Sequence, residues 1–100
     1  SKNKYSNFYV VDENYNITSK LKEHYNYNDN EIYRILNTVE KNTDKHDFNG
    51  IVSTDDYQYM VCVKPILTYI SGGSYLVIIE PFSGDIYKES ENFSGSKILQ

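Results

Sequence analysis

The sequence predicts an α+β domain: an antiparallel sheet of about five strands with helices on one face, in the order β-β-α-α-β-β-β. Three observations predict it. Residues 57–82, YQYMVCVKPILTYISGGSYLVIIEPF, read as two long apolar strands joined at Ser71-Gly72-Gly73-Ser74. Residues 28–42 carry one apolar stripe at helical spacing behind a capping signal. Residues 7–17 read as a short hairpin ahead of both.

In chain order, residues 1–6 are polar and are expected to be loose. Residues 7–11, NFYVV, form a first strand. Asp12-Glu13-Asn14 is turn chemistry, because Asp and Asn tolerate left-handed backbone and bond their own main chain. Tyr15-Asn16-Ile17 returns as a second short strand. Thr18 or Ser19 then caps a short helix over residues 20–25, with Leu21 and Tyr25 on its buried face.

The second helix has the fullest local signature. Asn28 is a good N-cap, and Glu31 follows three residues later as in a capping box. Asp29 and Glu31 place negative charge where the helix dipole favours it. Ile32, Ile35, Leu36 and Val39 fall at i, i+3, i+4 and i+7. One apolar face needs a flat partner, and the sheet supplies it.

Residues 43–49 are a polar connection, and residues 50–54 form a strand. Asp55-Asp56 turns into the central hairpin. In its first strand Tyr59, Val61 and Val63 share one face, and Gln58, Met60, Cys62 and Lys64 the other. Pro65 lacks an amide donor, so the strand bends, bulges or lies at an edge there. Residues 75–79 are apolar on both faces, and both strands are rich in the β-branched and aromatic residues a pleated surface favours. Ser83-Gly84-Asp85 is a turn, residues 85–88 a last short strand, and residues 89–100 a polar tail or linker. The whole of 1–100 is one domain, with a globular core over 7–88.

The net charge of −4 argues against a nucleic-acid partner, whose phosphates would need a basic stripe. No apolar run is long enough to span a membrane. One cysteine, Cys62, excludes an internal disulfide; in an apolar strand it reads as a buried, inert thiol. The compartment expected is the cytoplasm, with export after loss of a signal peptide left open.

No catalytic constellation stands out. Asp44, His46 and Asp47 lack the repeated spacing of a metal site and read as a solvated loop. Residues 71–74 resemble a phosphate loop in composition only, since strands flank them on both sides. Asp55 and Asp56 read as solvated turn carboxylates. The eleven tyrosines are mostly expected in the core with hydroxyls at its rim, one or two of them at a pocket or interface.

The residues quoted above also carry resemblances. FYVVDENYNI resembles the opening hairpin of PAS-type sensory domains, and MVCVKPIL followed by YLVIIEP resembles the closing strands of small PAS-like domains of bacterial regulators. That resemblance spans about residues 7–82. It implies a non-catalytic regulatory domain that binds a small apolar ligand between helices and sheet, or forms a homodimer. The pocket candidates are then Ile32, Leu36, Tyr59, Val61, Val77 and Ile79, which are also the predicted core; no cofactor is specified. YLVIIEPFSGDIYKE is similar to the last hairpin of PepSY-like domains, and small toxin-immunity proteins end similarly. These imply a small acidic interaction protein that blocks a protein partner.

Overall fold

The computed structural model describes residues 5–42, 46–66 and 73–82. Its elements are β1 (Asn7–Asp12), β2 (Ile17–Lys22), α1 (Asp29–Asn42), β3 (Phe48–Ser53), β4 (Gln58–Ile66) and β5 (Ser74–Pro81). All five strands join one antiparallel sheet in the order β2-β1-β5-β4-β3. The α+β class therefore holds, with one helix among the described residues where two were expected. The proposed strand over 85–88, the loose N-terminus and the polar tail fall on residues outside the described set or at its margin.

The missing helix is a correction with a physical cause. The spacing of Leu21 and Tyr25 predicts a helix over residues 20–25. Instead Ile17–Lys22 is β2, lying against the edge of β1 with Val11 opposite Ile17 and Phe8 opposite Lys22. Unpaired β1 would expose a row of amides and carbonyls. Pairing satisfies them, and a two-residue apolar pattern cannot compete. Leu21 ends up 58% exposed at an irregularity of the register.

The turn before β2 follows its chemistry. Asp12 Oδ1 accepts from the amides of Asn14 (2.8 Å) and Asn16 (2.9 Å), and the amide of Tyr15 donates to Asp12 O at 2.9 Å. These bonds hold the Asp12 carboxyl below its ordinary range, the backbone of Asn16 first among the causes. Tyr15 takes φ 63° there, a left-handed conformation that a bulky residue adopts only when its surroundings compensate. Its buried ring supplies that compensation.

α1 begins as its cap predicts. Asn28 Oδ1 accepts from the amide of Glu31 at 2.8 Å. Its stripe of Ile32, Ile35, Leu36 and Val39 is buried against Tyr9 and Val11 of β1, Val52 of β3, Tyr59, Val61 and Val63 of β4, and Val77 and Ile79 of β5. The connection from β2 to α1 is tied down by Asn7, a fully buried amide. Asn7 Nδ2 donates to Tyr25 O (2.8 Å) and Tyr9 Oη (2.7 Å), and Asn7 Oδ1 accepts from the amide of Tyr25 (2.8 Å). Burying an amide costs little when its polar atoms are met this way. Burial pushes the Tyr9 phenol up to about 12.

Two punctuating residues also find their reason. Pairing of β3 with β4 stops at Phe48–Val63, so Pro65 has β5 as its sheet neighbour and no β3 residue opposite. The edge alternative for this proline therefore applies. Gly73 leads into β5 with the Tyr75 ring against it: a Cβ there would stand 2.7 Å from the phenol's Cζ.

Candidate functional site

The six residues nominated as pocket lining come together in the buried cluster between α1 and the sheet. Ile32, Tyr59, Val77 and Ile79 are fully buried, and Leu36 and Val61 nearly so, all in one cluster. Neither of the two clefts described below includes any of them.

Two other regions are left at least partly uncovered by the described residues. The first is the face of the sheet opposite α1. Register places Phe8, Ile78 and Cys62 in one row across β1, β5 and β4, with Val10 and Leu76 on one side and Met60 on the other. All six are half-buried, and Ile51 beside Met60 is 48% exposed. Cys62 thus lies on this open face rather than in the core as expected. The rim is charged. Lys22 Nζ sits 5.7 Å over the Phe8 ring, Lys64 follows Leu76 in its row, and Glu80 pairs with Met60.

The second region is at the start of α1. The Glu31 carboxylate is 6% exposed and sits among hydrogen-bond donors. Its Oε2 accepts from the hydroxyls of Tyr59 and, at 2.8 Å, Thr54; its Oε1 lies 3.2 Å from Arg34 Nη1. Here half of the capping box is present: the Asn28 side chain meets the Glu31 amide, while the Glu31 side chain turns to β4 and the β3–β4 turn. Sequence reasoning missed this network, because the box pattern already explained a glutamate at that position. A buried carboxylate costs several kcal/mol unless met by such donors. A cleft of about 220 Å³ opens beside it, lined by Asn26, Tyr27, Asn28, Glu31, Arg34, Asp56 and Tyr57. A second, of about 280 Å³, lies on the other side of Arg34 toward Lys41 and Asp55. Asp55 and Asp56 are exposed, as expected of turn carboxylates.

The tyrosines divide between these roles. Tyr25 stacks on Tyr27 (5.7 Å, 17°), and Tyr27 meets Tyr59 edge-on (5.4 Å, 87°), carrying an aromatic chain from the β2–α1 connection into the core. Burial raises the Tyr27 phenol well above its ordinary value. At the other end of the sheet His46 is stacked between Tyr15 (4.7 Å) and Tyr75 (4.1 Å), with its Nε2 2.9 Å from Glu13 O. The loop histidine is therefore held between rings rather than simply solvated. Among the described residues no three metal-ligating side chains converge. No described helix is long and apolar enough to cross a membrane. Comparison with protein-family models, curated proteins and solved structures finds no match.

Proposed function

We propose that the chain is a non-catalytic, PAS-like regulatory domain of the cytoplasm that works as a homodimer through the open face of its sheet. The observation that carries this reading is the two-sided apolar sheet. α1 covers one face; no described element covers the other, which carries the half-buried Phe8, Val10, Met60, Cys62, Leu76 and Ile78. The strand order supports the PAS-like part. The opening hairpin lies within the main sheet, with β1 between β2 and β5. A hairpin outside the sheet would have removed that resemblance. The single helix among the described residues narrows it, and the apolar second face favours dimerisation as the mode of action.

A second copy suits the face in area and charge. Four strands about 4.8 Å apart, over three rows of side chains, cover on the order of 400 Å², apolar at the centre and with Lys64 and Glu80 at the margin. That is about half of the ~800 Å² per partner of a stable interface and suits a weak, reversible pairing, with an apolar centre and a polar margin. A two-fold axis running along the Phe8–Ile78–Cys62 row exchanges the rows on either side of it. Lys64 then stands one strand spacing from the partner's Glu80, and each copy contributes both charges. The regulatory mechanism is a population shift: whatever favours the paired or unpaired state biases the termini that leave the sheet.

Sedimentation equilibrium of the full chain tests this. The wild type is expected to show reversible dimerisation, and Ile78→Asp to sediment as a folded monomer with an unchanged circular dichroism spectrum. A wild type that stays monomeric at millimolar concentration overturns the proposal. So does a dimer that Ile78→Asp leaves intact. A monomer that forms a stoichiometric complex with another host protein points to the blocking-protein reading instead.

A further inference from the structure

The cleft at the start of α1 brings Arg34, Glu31 and Asp56 to one opening. We infer that it binds a small zwitterion of the α-amino acid class, with the carboxylate on Arg34 and the ammonium between Asp56 and Glu31. Arg34 is the only arginine in the sequence, and its side chain is 57% exposed at the boundary of two clefts. Its described ion pair uses Nη1 alone, while a guanidinium carries five N–H donors in a fork suited to a carboxylate. Glu31 supplies a fixed negative charge in the cleft wall, held by Tyr59 and Thr54, where low dielectric extends its field. Asp56 adds a second, exposed carboxylate on the facing turn.

These charges select against simpler ligands. A bare anion on Arg34 would meet Glu31 and Asp56, and a bare cation near those acids would meet Arg34. A molecule whose ammonium and carboxylate share one carbon satisfies both. Size limits it further. About 220 Å³ falls below the roughly 300 Å³ at which sites for drug-sized molecules begin, so the ligand is a small metabolite. Tyr27 and Tyr57 give the cleft aromatic walls for a side chain.

The test is amide NMR on the ¹⁵N-labelled full chain. The proteinogenic L-amino acids are added singly, with acetate and methylammonium as half-ligands at the same concentration. At least one amino acid should give saturable shifts at residues 26–34 and 54–57, with both half-ligands binding about tenfold more weakly or worse. Arg34→Gln and Asp56→Asn should each weaken binding by about tenfold, and Lys41→Gln, in the neighbouring cleft, should not. Unchanged shifts elsewhere show that the variants fold; Asp56 sits on an exposed turn, so its replacement keeps the test open should Arg34→Gln not fold. Equal binding of acetate, no saturable response to any amino acid, or full binding by both variants overturns the inference. The site stands apart from the dimer, so Ile78→Asp should leave amino acid binding unchanged.

Discussion

Tyr59→Phe removes one oxygen from the centre of the molecule, and the structure says what that oxygen does. The Tyr59 hydroxyl donates to Glu31 Oε2, and both residues are buried. Phenylalanine keeps the ring, and with it the edge-on contact to Tyr27. What is lost is a hydrogen bond to a buried charge, worth about 1.5–3 kcal/mol. Thr54 and Arg34 still reach the carboxylate, which argues for the lower half of that range. For a domain of this size each kcal/mol lowers the melting temperature by roughly 4–8 °C, and total stability is only about 5–15 kcal/mol. Urea unfolding followed by circular dichroism should show a lower midpoint with an unchanged slope. Thr54→Ala should cost less alone, and the pair should cost more than the sum, because the second loss strips the carboxylate of a remaining donor. A Tyr59→Phe cost under about 0.5 kcal/mol would refute the claim that this network holds the start of α1 to β4.

The other predictions address the core, the first turn and the two surfaces. Leu36→Ala should cost about 2–5 kcal/mol in the same urea assay, since Leu36 is 1% exposed between helix and sheet; a negligible change would mean the helix face is wrong. Asp12→Asn should remove a stabilisation that depends on pH. The folded carboxyl is lowered from 3.8, so its contribution is complete above that value and disappears as pH falls through the lower, folded one. Wild type and variant should therefore differ at neutral pH and converge in acid, as read by melting temperature against pH. Ile78→Asp should abolish self-association, and Arg34→Gln should weaken amino acid binding by about tenfold, as set out above.

Parts of this fold could be read from single residues, and parts could not. The stripe from Ile32 to Val39 and the Asn28 cap identified α1, because periodicity and capping are local. The alternation of Tyr59, Val61 and Val63 identified the inner face of β4 for the same reason. β2 was hidden. Its pattern is mostly polar, and its strand conformation is set by the need of β1 for a partner, which is not written in residues 17–22. The network of Glu31 was hidden as well, since Thr54 and Tyr59 lie 23 and 28 residues away in sequence. The nominated residues show the limit of apolar patterning: it finds the buried cluster of Ile32, Leu36, Tyr59, Val61, Val77 and Ile79, and the same pattern describes a cavity wall and a filled core. The open sheet face was half visible. Residues 75–79 read as apolar on both sides, but which row faces solvent depends on where α1 lies.

The most direct test of the proposed dimer is an isotope-filtered NOE measurement on a mixed sample, one copy labelled and the other not, at a concentration where dimer is populated. Contacts between copies are expected from the side chains of Phe8, Met60, Leu76 and Ile78, and none from Ile32, Leu36 or Val39. Contacts between copies that arise from the exposed side of α1, or from the edge of β2 or β3 instead of the open face, would contradict it.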